Sequence, residues 1–312
     1  MTALGSGTRT GPAGALVLLV SLALSGCGGS EGGGGGIVST PGPTYVKLAD
    51  RTGNQSFQSG GVHWEASSAG ITNQAIDAFG AGPTYAYDAA SDSFTVTAGS
   101  QAITFTAADY DAARSTATSR VFVKSPTGSP YLQITTPSVG GVTFSYMEVA
   151  SFFYPTTIGV RSWISVGGVP TIASDMPRSG TATYAASTGG TVISPAGRVP
   201  STEYATANTS TATFSADFTS GAVTTSLHLV GTQVDRSLLG SPSTGSPVDF
   251  GTFTGTGTIA AGSPGFTGTF AGTTGAGFSG SFFGPKALEM GYAYNFNNGS
   301  IEAFGATVGI KQ

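Results

Sequence analysis

From Thr252 to Ile259 the chain reads Thr-Phe-Thr-Gly-Thr-Gly-Thr-Ile, with Thr at alternate positions and Phe, Gly or Ile between them. A period of two with one polar and one apolar set marks a strand that has a wet face and a buried face. The pattern returns at Phe266, Gly268 and Phe270 against Thr267 and Thr269, and at Phe278, Gly280 and Phe282 against Ser279 and Ser281. Large rings beside absent side chains fill the tapered interior of a small barrel, and Gly lets its backbone bend. Further alternating runs are Thr181–Ala186, Thr211–Phe218, Val223–Val230 and Ile301–Ile310, with another strand through Tyr292, Tyr294 and Phe296. Together they predict one antiparallel barrel of about eight strands, a size whose bore side chains can fill.

Between Tyr45 and Asp175 the strand-like runs are shorter and irregularly spaced: Ser93–Ala98, Ala102–Thr106, Arg120–Lys124, Tyr131–Thr135 and Val142–Met147. This part reads as a twisted sheet packed against the barrel. Ala107–Arg114 is its one helical turn, with Asp109 and Asp111 placed to start it. The fold class is therefore all-β: an N-terminal twisted-sheet domain over 44–175 packed on an eight-stranded antiparallel barrel over 176–312.

Composition narrows the function. The 312 residues include 49 Gly, 9% are charged, 39% are hydrophobic and 10% are aromatic. The low charge excludes a charged helical protein, and the apolar content supplies a core that a disordered chain lacks. A net charge of −4 offers no cationic surface to phosphates or anionic lipid, which argues against a nucleic-acid role. One Cys makes no internal disulfide or thiolate zinc cage, and two His are too few for a His-rich metal site.

The chain opens with Arg9, an apolar run from Ala15 to Leu24 and then small residues, which reads as a secretory signal peptide over 1–26. The run is shorter than the roughly 20 apolar residues of a membrane-spanning helix. Residues 27–43 are rich in Gly with Pro41 and Pro43, a composition expected of a flexible tether. Leu24-Ser25-Gly26-Cys27 resembles the lipobox of bacterial lipoproteins. That resemblance implies a diacylglycerol on the Cys27 thiol, palmitate incorporation and a membrane anchor. Gly28 in place of Asp implies the outer membrane.

A second resemblance lies in Gly280-Ser281-Phe282-Phe283-Gly284-Pro285-Lys286-Ala287-Leu288-Glu289-Met290-Gly291, which is similar to the closing motif of transferrin-binding protein B barrels. Asp175 to Tyr184 resembles the first barrel strand of that family, Thr213 to Phe218 a middle strand, and Ile103 to Asp109 the preceding handle region. The family implies a surface lipoprotein with a handle domain and an eight-stranded barrel, in the layout of factor H-binding protein. Its members bind ligands and are not enzymes. Transferrin-binding protein B has two such lobes and this chain has length for one, which argues against host transferrin as its ligand. Tyr292 stands where the family has Gly. Within the motif, Gly284-Pro285 is expected to end a strand, and Glu289 to accept backbone N–H bonds at the crossover.

No catalytic, cofactor-binding or metal-binding residue is assigned. His228 lies on the Thr-bearing face of its strand, His63 beside Trp64, and neither neighbours a nucleophile motif. Asp109-Tyr110-Asp111 lacks the Gly and terminal Glu of a calcium loop. The remaining candidate is an aromatic cluster, Phe152, Phe153 and Tyr154 with Trp163, which is either a partner-binding edge or the core of the handle and its seam with the barrel. The resulting expectation is an outer-membrane, cell-surface lipoprotein, anchored at Cys27, that binds a protein or small solute through handle loops and barrel rims. An outer-membrane receptor or a surface-lipoprotein translocator is an expected further partner. The alternative is a structural envelope lipoprotein without a dedicated ligand. A transmembrane barrel is disfavoured because the outer faces carry Thr and Ser instead of an apolar band.

Overall fold

The structure is a computed structural model and describes residues 44–67, 70–125, 129–196, 202–234 and 245–312. The leader, the tether and Cys27 lie outside the described residues. Residues 43–312 form one compact unit.

The first twelve strands are β1 (Gln55–Phe57), β2 (Ser59–Ser67), β3 (Gly70–Asp77), β4 (Thr84–Asp88), β5 (Ser93–Ala98), β6 (Gln101–Phe105), β7 (Ser119–Val123), β8 (Tyr131–Thr135), β9 (Ser138–Val139), β10 (Val142–Thr143), β11 (Met147–Pro155) and β12 (Val160–Gly168). Nine more follow: β13 (Thr181–Ser194), β14 (Thr202–Thr206), β15 (Thr211–Asp217), β16 (Ala222–Gln233), β17 (Val248–Ile259), β18 (Gly265–Phe270), β19 (Thr274–Phe283), β20 (Glu289–Asn297) and β21 (Glu302–Lys311). The expected helical turn is a short 3-10 segment, Ala107–Asp109, capped by Asp109 Oδ2, which accepts the Thr106 N–H at 2.8 Å.

The last nine strands form one sheet that closes on itself through β13 and β21, paired from Tyr184↔Lys311 to Ile193↔Glu302. β14 and β15 both lie between β13 and β16, one on each half of β13, so they are two segments of one stave and the barrel has eight. Its bore is filled by rings. Phe214 and Phe266 lie 5.0 Å apart, Phe266 and Phe282 5.0 Å, and Phe278 and Tyr292 5.3 Å. Tyr292, the departure from the family motif, is buried in this stack. Its hydroxyl meets Thr225 Oγ1 at 2.6 Å, and Thr225 in turn donates to the Thr213 carbonyl at 2.8 Å. Burial pushes the Tyr292 hydroxyl up to about 12, which keeps it a neutral partner. Gly268 faces inward: a Cβ there would strike the Phe278 ring and the Thr256 carbonyl oxygen.

The N-terminal strands form two main sheets, β1-β4-β5-β6 and β3-β2-β12-β11-β8-β7, plus the β9–β10 ribbon. The six-stranded sheet is a middle layer with apolar side chains on both faces. On one face Phe122, Leu132, Phe152 and Trp163 pack with Tyr85, Phe94 and Phe105 of the four-stranded sheet. On the other, Met147, Val166, Ile164 and Trp64 meet the outer wall of the barrel at Phe283, Phe304, Ala306 and Val308. Trp64 lies against Phe304 with centroids 4.6 Å apart, and Phe79 meets Phe283 edge-on at 5.6 Å. β20 is consequently buried on both faces over Glu289–Phe296.

The run from Val142 to Met147 is not a single strand. β10 ends at Thr143 and β11 begins at Met147, because the intervening amides turn away to the barrel. Glu289 Oε1 accepts the Ser145 N–H at 2.6 Å and Oε2 the Tyr146 N–H at 3.0 Å. The expected role of Glu289 as an acceptor of backbone N–H groups is present, but the donors belong to the N-terminal part and not to the local crossover. Burial pushes this carboxyl up while the amides of Ser145, Tyr146 and Met147 pull it down. Gly284, at φ +68, is held against the same segment, and a Cβ there would enter the Tyr146 ring.

Two outcomes are expected from equilibrium urea unfolding of the full chain. Gly268→Val should cost about 3 kcal/mol or more, since overpacking against backbone has no side-chain escape, whereas Thr267→Val on the exposed face should change stability by less than about 0.5 kcal/mol. Glu289→Gln leaves one acceptor where two amides need them and places a donor against the other, so it should lose at least about 2 kcal/mol. A loss below about 0.5 kcal/mol would show that the carboxylate does not hold the two parts together.

Candidate contact surface at the end of the middle sheet

β11 and β12 are joined by a short hairpin at 156–159, tied by the Thr156 N–H to the Gly159 carbonyl at 2.8 Å and by the Gly159 N–H to Thr156 Oγ1 at 3.2 Å. Alternation along β11 separates the predicted aromatic cluster onto two faces. Phe152, 1% exposed, and Trp163, 6% exposed, are in the core between the two N-terminal sheets. They are packing residues and not contact residues, because the four-stranded sheet covers the face toward which they point. Phe153 points the other way and stacks on Tyr131 at 4.7 Å with the rings 10° from parallel. Tyr154 is half-buried at the margin of the core, stacked on Trp163 at 5.7 Å.

The outer part of the hairpin is accessible. Ile158 at its tip is 69% exposed, the highest value among the exposed large apolar residues described. On β12, Arg161 extends its guanidinium over the Trp163 ring at 5.4 Å, and its Nε lies 3.9 Å from Glu65 Oε1. The hairpin end therefore carries Ile158 at its tip, Tyr154 and Arg161 on one face and Phe153 on the other, on a rigid two-strand support. Ile158 escaped the sequence reading because it sits between Thr157 and Gly159, outside any alternating run.

His63, on the next strand, has Nδ1 3.0 Å from Asp77 Oδ2, and the same oxygen accepts the Trp163 Nε1–H at 3.2 Å. The carboxylate thus orients an imidazole and an indole together. His228 is on the outer face of the barrel and contacts Asp249 at 3.0 Å. Asp109 is engaged by Lys124 Nζ at 2.9 Å and by its own capping bonds, which hold its carboxyl below the usual range despite partial burial. No group of three or more His, Cys, Asp or Glu able to hold a metal ion occurs among the described residues. No helix among them is long and apolar enough to cross a membrane.

Comparison with known proteins gives the family of the barrel. Residues 176–308 match the family described as C-lobe and N-lobe beta barrels of Tf-binding protein B. No curated protein matches the chain. Among solved structures, transferrin-binding protein B from serogroup B Neisseria meningitidis is similar at 14% identity and a TM-score of 0.43, over 84% of this chain and 44% of that one. The chain thus spans less than half the length of that relative. HpuA from Kingella denitrificans, solved in complex with human haemoglobin, is similar at 14% identity and a TM-score of 0.34, over 83% of this chain and 87% of that one. The N-lobe of lactoferrin-binding protein B from Moraxella bovis is similar at 13% identity and a TM-score of 0.34, over 60% and 81%. With its closing motif at 280–291, its eight staves and its match over 176–308, the barrel is similar to the barrels of transferrin-binding protein B.

Proposed function

We propose that this chain is a surface lipoprotein of the bacterial outer membrane, anchored through Cys27, whose folded part comprises a handle over 44–175 and a barrel over 176–312 and binds a protein ligand without catalysing a reaction. The observation that carries the binding role is the hairpin tip: an apolar side chain exposed at the end of a rigid two-strand support that carries Phe153 on one face and Tyr154 with Arg161 on the other. This composition concentrates binding energy at protein interfaces. A bore filled by rings leaves no room for a ligand inside the barrel, so recognition falls to the surface. The family is described by transferrin binding, and relatives of similar architecture carry names or partners of other host iron proteins, lactoferrin and haemoglobin. A single lobe keeps the choice among these open to measurement.

The full-length protein is immobilised and presented in turn with transferrin, lactoferrin and haemoglobin. Binding to one of them should weaken at least about tenfold on Ile158→Asp, with the melting midpoint unchanged because Ile158 is exposed. Failure of all three to bind would favour the structural envelope role. Binding that ignores Ile158→Asp would move the contact to the barrel rim. Phe152→Ala serves as the contrast, since truncating a buried Phe costs roughly 3–5 kcal/mol and should lower the midpoint by several degrees. For the anchor, Cys27→Ser should abolish incorporation of labelled palmitate and release the protein from outer-membrane fractions; unchanged labelling or fractionation would refute it.

A further inference from the structure

At a sheet edge the backbone still has hydrogen bonds to give, and among the described residues this fold closes, covers or shortens every edge but one. The barrel returns on itself through β13 and β21, and β14 is paired on both sides. β3, at one edge of the six-stranded sheet, lies against β19 and β20 of the barrel wall; Asn73 interrupts it at φ +54, and its pairing with β2 shifts register between His63 and Glu65. β7, at the other edge, is covered by the segment that follows β6. There the Asp111 N–H donates to the Val121 carbonyl at 2.9 Å, and Tyr110 forms an antiparallel bridge to Phe122. In the four-stranded sheet β1 has three residues and leads almost directly into β2. That leaves β6, Gln101–Phe105, which is paired with β5 on one side only.

The turn before β6 fixes which of its backbone groups point outward. Ala98 and Gln101 flank a two-residue turn whose first position is Gly99 at φ +60, so they form a hydrogen-bonded pair, as do Val96 with Ile103 and Phe94 with Phe105. Ala102 and Thr104 are the intervening positions, opposite Thr97 and Thr95, and their N–H and C=O groups face away from β5. The Thr95 and Thr104 hydroxyls meet at 2.8 Å, in keeping with the close side chains of a non-hydrogen-bonded pair. No described group bonds the outward N–H or C=O of Ala102 or Thr104. The next outward position is closed, because Asp109 Oδ2 takes the Thr106 N–H at 2.8 Å. The devices that protect an edge are missing from Gln101-Ala102-Ile103-Thr104-Phe105, which has no charged residue, no Pro and no bulge. Ala102 and Thr104 are exposed, while Phe105 and Ile103 pack in the core between the two N-terminal sheets and hold the strand in place.

We propose that β6 is the pairing edge for a second copy of this chain, the two β6 strands running antiparallel about a two-fold axis at Ile103 and joining the two four-stranded sheets into one. Two outward positions separated by a single residue are self-complementary under that symmetry. Ala102 of one copy stands opposite the partner's Thr104, and Thr104 opposite the partner's Ala102, so each pair exchanges both of its N–H···O bonds. The side chains brought face to face are small and uncharged. The charged groups at the C-terminal end of the strand are already paired, Asp109 with Lys124 at 2.9 Å and Asp92 with Arg120 at 3.2 Å. Antiparallel pairing brings that end toward the partner's turn at Gly99 and Ser100, which carries no charge, so no like charges are set against each other.

The test uses the full chain carrying Cys27→Ser in mild detergent, in which an introduced Cys is the only thiol. Chains with Ala102→Cys and chains with Thr104→Cys are mixed and oxidised. The proposed register sets these two positions about 5.5 Å apart across the axis, within disulfide reach, whereas like positions are diagonal neighbours about 7–8 Å apart. The mixture should therefore yield several-fold more linked dimer than either chain alone. Without introduced thiols, sedimentation should show a monomer–dimer equilibrium. Ala102→Lys/Thr104→Lys sets Lys against Lys across the axis and should raise the dissociation constant at least tenfold, with the melting midpoint unchanged because both side chains are exposed. If the Lys pair lowers the midpoint, Thr104→Pro, which removes only an outward N–H, takes its place with the same expected loss of dimer. A chain that is monomeric at every concentration, a dimer indifferent to these substitutions, or linkage without preference for the mixed pair overturns the proposal. A monomer whose binding of transferrin, lactoferrin or haemoglobin is lost in the same variants overturns it in favour of a ligand strand at this edge.

Discussion

The buried carboxylate of Glu289 is the contact on which the arrangement of the two parts depends. It leaves the barrel at the first residue of β20, crosses the seam and takes the amides of Ser145 and Tyr146 at the point where β11 is about to begin. Those amides would otherwise continue a strand. Giving them to a side chain interrupts the chain between β10 and β11 and fixes where the middle sheet meets the barrel wall. A carboxyl group is tolerated at this depth because both of its oxygens accept N–H donors, the condition under which the desolvation that pushes it up is partly offset. Gly284 and the Tyr146 ring close the same corner from the side, so a backbone turn, a ring and a carboxylate specify one orientation together. Non-directional apolar contact between two curved sheets would leave that orientation loosely determined.

The parts of the barrel most legible in the sequence are those that face water. Along β15–β18 one face meets solvent, so Thr and Ser alternate with Phe, Leu and Gly and the period of two is clean. In β20 and β21 the outer wall is covered by the middle sheet. The alternation there is between two apolar sets: Ala303 lies with the bore cluster, whereas Phe304, Ala306 and Val308 lie against the sheet. That double apolar character was itself a readable sign of a covered wall. The N-terminal sheets are harder to read for the same reason, since a middle layer buried on two faces has no polar face to set the period. β2 and β12 are examples, and neither stands out as an alternating run. For the aromatic cluster, adjacency in sequence places Phe152 and Phe153 on opposite faces of a strand, so one of the pair was bound to be a packing residue.

A filled bore constrains what such a barrel can do. Eight staves enclose only enough space for side chains, and here the rings of Phe214, Phe266, Phe278, Phe282 and Tyr292 occupy it. Glycine is the counterpart of those rings. Positions such as Gly268 are empty because a neighbouring ring or carbonyl already uses the volume. The barrel therefore acts as a rigid body, and the chemistry that varies is confined to its two mouths, its loops and the sheets packed on its wall.

Rigidity also bears on the contact proposed at the β11–β12 hairpin. A long loop that orders on binding spends part of its contact energy on lost conformational freedom. The hairpin avoids most of that cost: its turn is closed by two hydrogen bonds, β12 continues into the centre of the six-stranded sheet, and Tyr154 and Arg161 are already held against Trp163. Core aromatics thus contribute to the surface indirectly, with Trp163 fixing the Tyr154 ring and the Arg161 guanidinium at the base of the hairpin. In a protein with only 9% charged residues, a packed core that positions a few exposed groups ties the strength of any contact at the tip to the integrity of the core between the two N-terminal sheets.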